Sequence, residues 1–159
     1  ERIYNMIKVL FVCHGNICRS TMAEFLFKDM VEKQGTADKF IIASAATSRE
    51  EIGNPVHPGT RKKLEPLGIS VAGKTAVQIT KQDCDYYDYI IIMDEQNRRN
   101  LNHMFGSSCL SKVYSLLDFT DNPRSIADPW YTGDYDKAFD DIQEGCIAFL
   151  DWLRKEGKI

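Results

Sequence analysis

One short segment carries a cysteine, an arginine and a hydroxyl at a spacing that suits phosphate chemistry. Cys13 is followed six positions later by Arg19 and then by Ser20. The guanidinium of an arginine is a planar fork that matches two phosphate oxygens. A thiolate can attack phosphorus as a nucleophile, and a positively charged neighbourhood favours this ionised form of the sulfur. The segment therefore predicts a loop that binds an oxyanion and activates Cys13 in the same field.

The flanking sequence predicts that this loop joins a buried strand to a helix. Residues 7–12 form a short β-branched apolar run, which is typical of a strand in a parallel sheet. Apolar residues then recur at helical spacing over 22–31, and Thr21 with Glu24 has the spacing of a capping box. Backbone N–H groups at the start of such a helix can hold an anion.

Strand and helix patterns alternate along the rest of the chain. Strands are predicted at residues 40–43, 89–93 and 112–114, and helices at 59–67, 94–104 and 135–155. We therefore expect a single-domain α/β fold, with four parallel strands in the order 2-1-3-4 and helices on both faces. The phosphate-binding loop follows strand 1, at the sheet edge where ligands bind in such folds.

Composition limits the classes of function. The 159 residues are 43% hydrophobic and 27% charged, with a formal net charge of −3, which indicates no general affinity for nucleic acid or anionic membrane. No apolar run approaches the ~18 residues that a membrane-spanning helix needs. We expect one domain over residues 6–159 and set residues 1–5 aside as a leader or vector remnant.

The remaining cysteines and histidines predict no metal centre. Five cysteines, an odd and widely spaced set, argue against a secreted disulfide framework and indicate a reducing compartment. Cys84, Cys109 and Cys146 are interpreted as structural. His57 and His103 have no ligand partners at helical spacing, and we expect both to be solvent-exposed.

The loop and several later motifs resemble one known family. Residues 12–20 read VCHGNICRS and match the pattern V-C-x-G-N-x-C-R-S of the low-molecular-weight protein tyrosine phosphatases. The resemblance continues in SAATS at 44–48, EIGNP at 51–55, QIT at 78–80, DYI and MDE within 88–95, and DPWY at 128–131. It thus covers nearly the whole chain from residue 6.

The resemblance implies a cofactor-free phosphatase with Cys13, Arg19 and Asp128 as its catalytic residues. Cys13 forms a phosphocysteine, Arg19 holds the phosphate oxygens, and Asp128 serves as general acid and then as general base. The implied phosphate-binding residues are His14, Gly15, Asn16, Ile17, Cys18, Arg19 and Ser20. The implied substrate is a phosphotyrosine protein, bound by a cytoplasmic monomer or weak dimer.

The resemblance also implies supporting roles around the loop. Three polar residues support its shape and the sulfur: Asn16, Ser20 and Ser44. Three residues line the substrate cleft: Glu50, Trp130 and Tyr131. Cys18 is the implied redox partner of Cys13, able to form a reversible disulfide under peroxide.

The chain departs from the family pattern at several positions. Thr21 replaces a common proline, and Lys74 replaces a histidine tied to the polar network, so that network must be rewired. Glu50 stands where an aromatic residue often lines the cleft. Ile17 favours phosphotyrosine, because relatives that act on phosphoarginine tend to carry threonine there.

Three alternatives stay open on the sequence. An arsenate reductase would need further cysteines close together, but Cys84 is followed by Tyr89 where a partner is expected. A phosphoarginine phosphatase is separable by comparing phosphoamino acids and by testing Ile17→Thr. A non-catalytic phosphopeptide-binding module would bind without turnover, although both Cys13 and Asp128 are retained.

Overall fold

Four short apolar segments form the central sheet. The computed structural model describes residues 6–159, so the expectation for residues 1–5 lies outside the described part. The strands are β1 (Ile7–Cys13), β2 (Phe40–Ala46), β3 (Tyr89–Ile92) and β4 (Val113–Ser115). All neighbours pair in parallel, in the order β2-β1-β3-β4. The predicted fold class and strand order are therefore confirmed.

Helices connect the strands and cover both faces of the sheet. They are α1 (Arg19–Lys33), α2 (Pro58–Leu64), α3 (Lys81–Tyr86), α4 (Glu95–Phe105), α5 (Ser107–Leu110), α6 (Pro129–Thr132) and α7 (Tyr135–Lys155). Short 3₁₀ turns lie at Ala37–Lys39, Glu65–Leu67 and Leu116–Phe119. The sequence patterns predicted α7 at its observed bounds and missed the one-turn helices α5 and α6, which are too short to show a period.

Alternate residues of the strands face two separate cores. Val9 and Phe11 of β1 pack with side chains of α1 and α7, such as Phe27 and Phe149. The intervening side chains, such as Val12, pack on the opposite face against α3, α4 and α5. Burial on both faces explains why these strands are apolar throughout, as expected of a parallel sheet.

The start of α1 differs from the capping box predicted at Thr21. The helix begins at Arg19, and its N-cap Cys18 makes no side-chain capping bond. Thr21 lies inside the first turn, where its hydroxyl donates to the Cys18 carbonyl at 3.0 Å. The prediction was wrong because the loop after β1 runs directly into the helix, so the N-cap position falls on Cys18 of the loop.

A disulfide joins Cys84 of α3 to Cys109 of α5. The wide sequence spacing of the cysteines had indicated no such bond. The two half-cystines are 25 residues apart in the chain, and the packing of α3 against α5 brings them together. The free cysteines of the described residues are Cys13, Cys18 and Cys146.

Two features are absent from residues 6–159. No helix among them combines the length and apolar character needed to cross a membrane. Within the same residues, no group of three or more His, Cys, Asp or Glu side chains is arranged to hold a metal ion.

Candidate active site

The loop between β1 and α1 turns its N–H groups toward a pocket. Backbone N–H groups from outside the loop bind three of its carbonyls, with Thr47 donating to Cys13, Ser48 to His14 and His57 to Ile17, at 2.9–3.0 Å. Since the N–H and C=O of a trans peptide point in opposite directions, these bonds direct the following N–H groups inward. The loop therefore presents donors to any anion bound there.

The Cys13 sulfur lies at the bottom of this pocket. Cys13 Sγ is 3.0 Å from Ser20 Oγ, and the Ser20 backbone N–H donates to the same sulfur at 3.4 Å. Both residues are buried. When the sulfur is ionised it can only accept, so the Ser20 hydroxyl then donates to it, and two donors stabilise the thiolate.

Asn16 holds the loop through its backbone and its side chain. Its φ of 59° lies in the left-handed region, which asparagine tolerates better than most residues. Its amide nitrogen donates to Ser20 Oγ at 2.8 Å and to Ser44 Oγ at 2.9 Å. Its amide oxygen accepts from the Val77 N–H at 3.1 Å. The amide therefore links the loop, β2 and the segment after residue 74.

Glu24 orders this hydrogen-bond network, and the sequence analysis did not identify it as a site residue. The Ser44 hydroxyl donates to the buried Glu24 carboxylate, which Lys28 also binds. Because a carboxylate accepts only, Ser44 must donate to it and must accept from Asn16. The available signal was an acidic residue on the buried side of an amphipathic helix.

Lys74 takes part in the same hydrogen-bond network. Its Nζ donates to the Ser44 carbonyl at 2.9 Å and lies 3.6 Å from the Glu24 carboxylate. Burial lowers the pKa of Lys74, while the charge and hydrogen bond of Glu24 act in the opposite direction. The lysine thus steadies Ser44 through its backbone rather than its hydroxyl.

Arg19 connects the loop to two carboxylates. Its Nη1 donates to Asp94 Oδ2 at 2.6 Å and to the Ile126 carbonyl at 2.8 Å, and its Nη2 lies 3.3 Å from Asp128 Oδ2. Burial opposes the charged form, but the charges of Cys13, Asp94 and Asp128 outweigh it and raise the pKa of Arg19. Within the described residues, Arg19 Nε has no hydrogen-bond partner and is available to an oxyanion.

The predicted acid Asp128 lies at the N-terminus of α6. Its Oδ1 accepts from the Trp130 N–H at 3.0 Å, which caps the short helix, while Oδ2 faces Arg19. Asp128 lines the same pocket as Cys13 and Cys18. The fold therefore brings Cys13 and Asp128 to one pocket at the carboxyl edge of the sheet, with Arg19 in contact with Asp128.

Two walls border the mouth of the pocket. Trp130 and Tyr131 form one wall and are 56% and 78% exposed. His14 and Glu50 also line the pocket, and His14 Nε2 lies 3.1 Å from Glu50 Oε2. The three residues predicted to line the cleft, Glu50, Trp130 and Tyr131, thus all line the pocket.

His57 was expected to be solvent-exposed, and this expectation was wrong. Its side chain is partly buried and caps α2 by accepting from the Gly59 N–H at 2.9 Å. Its ring also stacks on Tyr135 and meets the edge of Trp130. The sequence offered only the pattern His-Pro-Gly before a helix as a signal, and nothing in it pointed to Tyr135.

Comparisons with known proteins agree with this geometry. A family model described as low molecular weight phosphotyrosine protein phosphatase matches residues 8–159. The chain is 42% identical over 156 residues to the low molecular weight protein-tyrosine-phosphatase YfkJ of Bacillus subtilis, covering 97% of this chain and 100% of that protein. It is 39% identical over 150 residues to the Homo sapiens low molecular weight phosphotyrosine protein phosphatase, covering 90% and 93%.

A solved structure extends the agreement to the fold. The crystal structure of YfkJ from Bacillus subtilis matches with a TM-score of 0.90 and 43% identity, over 95% of this chain and 96% of that chain. The resemblance stated from the loop motif is therefore confirmed over nearly the whole length. The chain belongs to the low molecular weight phosphotyrosine protein phosphatase family.

Proposed function

We propose that this protein hydrolyses phosphotyrosine in other proteins through a phosphocysteine on Cys13. One observation carries the proposal: Cys13 and Asp128 line the same pocket, and Arg19 Nη2 lies 3.3 Å from Asp128 Oδ2. This arrangement supports the proposed roles of Cys13 as nucleophile, Arg19 as oxyanion clamp and Asp128 as proton donor. The names of the relatives, which are phosphotyrosine phosphatases, support the assignment.

The reaction proceeds in two displacements. The Cys13 thiolate attacks phosphorus, the bond to the phenol oxygen breaks, and Asp128 gives its proton to the departing phenolate. Asp128 then takes a proton from water, whose oxygen attacks phosphorus and releases phosphate and the thiolate. Arg19 and the loop N–H groups stabilise the phosphoryl oxygens in both steps.

The cleft favours a flat, long-stemmed substrate. Phosphorus must reach the Cys13 sulfur at the bottom of the pocket, and the exposed Trp130 and Tyr131 rings border the entrance. A tyrosine ring spans this depth and can lie along the aromatic wall. Phosphoserine has too short a stem, so we expect it to be a poor substrate.

Activity on a small aryl phosphate tests the proposal directly. We expect hydrolysis of p-nitrophenyl phosphate that persists with excess chelator, and complete loss in Cys13→Ser, whose hydroxyl is a far weaker nucleophile. A panel of phosphotyrosine, phosphoarginine and phosphoserine peptides then ranks the substrates. Binding without turnover would indicate the non-catalytic alternative, and a preference for phosphoarginine that Ile17→Thr enhances would indicate the other phosphatase.

Cys18 is the proposed redox partner of Cys13. Hydrogen peroxide converts the Cys13 thiolate to a sulfenic acid and releases hydroxide, and the Cys18 sulfur then displaces the second oxygen as water to form a disulfide. Both buried thiols line one pocket, which supports this role. We expect peroxide to abolish the activity and a thiol reductant to restore it. In Cys18→Ala, the reductant should no longer restore the activity.

The expected location is the cytoplasm, and the expected state is a monomer or weak dimer. The Cys84–Cys109 disulfide is compatible with reducing surroundings because both half-cystines are buried and thiol exchange requires access. Mass spectrometry after alkylation, with and without prior reduction, shows whether this disulfide is present.

Arsenate-dependent oxidation of thioredoxin would indicate the arsenate reductase alternative, in which Cys84 would have to leave its bond with Cys109.

A further inference from the structure

His57 lies where three segments of the active site meet. Its backbone N–H donates to the Ile17 carbonyl of the phosphate loop at 2.9 Å. Its ring stacks on Tyr135, the first residue of α7, with centroids 5.2 Å apart and planes inclined by 12°. The Trp130 ring meets it edge-on, with centroids 5.6 Å apart and planes at 81°. His57 therefore contacts the phosphate loop through its backbone, and contacts α7 and the aromatic wall through its ring.

Polar contacts around His57 extend to Cys18. The Gly59 backbone N–H donates to His57 Nδ1 at 2.9 Å, so this nitrogen must be an acceptor. The Tyr135 hydroxyl lies 3.0 Å from the same nitrogen. The same hydroxyl lies 3.5 Å from the Cys18 sulfur. A chain of polar contacts thus runs from Cys18 through Tyr135 to His57.

Local packing holds this chain in place. A Cβ added to Gly59 would lie 2.5 Å from the Tyr135 ring, so glycine is required for the ring to lie against α2. Burial raises the pKa of the Tyr135 hydroxyl, and it raises the pKa of the Cys18 thiol to about 12. Both groups therefore stay protonated at neutral pH.

The same ring reaches the segment that carries Asp128. The Trp130 N–H donates to Asp128 Oδ1 at 3.0 Å, and both residues belong to the one-turn helix α6 with its cap. A helix of a single turn has little stability of its own, so its position depends on tertiary contacts. The edge contact between Trp130 and His57 is such a contact, and it links α6 to the support of the phosphate loop.

We propose that His57 and Tyr135 are positioning residues that set Asp128 relative to the phosphate loop and so govern proton delivery to the leaving group. This inference rests on the proposed function, in which Asp128 is the general acid. A displaced acid costs most when the leaving group is basic, because p-nitrophenolate departs with little help whereas phenolate needs a proton. The ratio of rates on phenyl phosphate and p-nitrophenyl phosphate therefore reports the position of Asp128.

His57→Asn is the informative variant. Asparagine retains a side-chain oxygen for the helix cap and the backbone N–H to Ile17, and it removes only the ring. We expect kcat/KM on phenyl phosphate to fall about tenfold and on p-nitrophenyl phosphate no more than about twofold. Inhibition by vanadate should change less than about twofold, since the loop itself is retained. Tyr135→Phe, which keeps the stacked ring, should shift the ratio about threefold.

Two further variants make the result decisive. His103→Asn, at an exposed position on α4, is the matched control and should leave both rates unchanged. Asp128→Asn must itself shift the ratio; if it does not, the acid assignment and this inference both fail. Suppose that Asp128→Asn shifts the ratio of the two rates but His57→Asn does not, either because it lowers both rates equally or because it lowers neither. In that case only this inference is overturned, and the acid assignment stands. Should His57→Asn not fold, Tyr135→Phe decides in the same way.

Discussion

The floor and the rim of the active site differ in how deeply their side chains are buried. We define the floor as Cys13, Asn16, Arg19, Ser20 and Ser44, and the rim as His14, Glu50, Trp130 and Tyr131. The floor is buried although it is mostly polar, with Asn16 and Arg19 only 1% and 2% exposed. In the rim, Trp130 and Tyr131 are more than half exposed.

This difference determines what each region can do. A buried polar group that loses its partner costs its full desolvation, so the members of the floor constrain one another tightly. A contact at the surface such as that of His14 with Glu50 contributes little to stability. The floor is therefore suited to fixed chemistry, and the rim is suited to adjusting which phosphoprotein binds.

Asp128 contacts Arg19 of the floor and Trp130 of the rim. Its replacement should have the largest effect on the catalytic rate. Asp128→Asn keeps an acceptor for the α6 cap but cannot deliver a proton, so kcat on phenyl phosphate should fall by about 10²–10⁴. Steady-state kinetics measure this fall. An unchanged kcat would mean that another residue protonates the leaving group.

Glu24 tests whether the floor depends on its buried network. Glu24→Gln leaves Lys74 without its carboxylate and replaces one of the two acceptor oxygens of Glu24 with a donor NH₂ group, so the free energy of unfolding should fall by about 3 kcal/mol. We expect kcat on p-nitrophenyl phosphate to fall about tenfold, because Ser20 loses its fixed orientation toward the sulfur. Urea unfolding and steady-state kinetics provide the two readouts.

An exposed pair on the same helix is the matched control for Glu24. Asp29 pairs with Lys33 at 2.9 Å on the solvent side of α1. Asp29→Asn should change the free energy of unfolding by less than about 0.5 kcal/mol and leave kcat unaltered. Equal losses of unfolding free energy in the two variants would contradict the claim that the buried network matters more than an exposed pair.

The rim should show a smaller and more selective effect. Glu50→Gln removes an exposed negative charge beside His14, so kcat on p-nitrophenyl phosphate should change less than about threefold. Phosphotyrosine peptides with acidic flanks should gain relative to basic ones, and the gain should shrink at high salt because exposed charges are screened. A uniform change across all peptides would show that Glu50 acts on the chemistry instead.

The buried Cys18 thiol should make the free energy of unfolding depend on pH under alkaline conditions. Burial is the main cause that raises the pKa of this thiol from an ordinary value near 9.0 to about 12. The folded protein then binds the proton more tightly than the unfolded chain, so its contribution to stability is complete below about pH 9 and is lost as the pH rises toward 12. Urea unfolding at several pH values measures the loss, and Cys18→Ala should reduce it.

Sequence spacing alone determined much of this protein. The apolar run, the loop from Cys13 to Arg19 and the amphipathic helix are local patterns, so strand, loop and helix could be predicted in order. The alternation of such patterns implied a parallel sheet, and a parallel sheet places the loop at its carboxyl edge. The order of short motifs also sufficed for the family.

Only the tertiary structure decided which distant residues complete the site. Arg19 meets Asp94 across 75 positions of sequence, and His57 meets Tyr135 across 78. Cys84 meets Cys109 because α3 packs against α5. No periodicity encodes such pairs, because each depends on how separate helices and loops come together over the sheet. Local patterns specify elements, whereas long-range contacts depend on their packing.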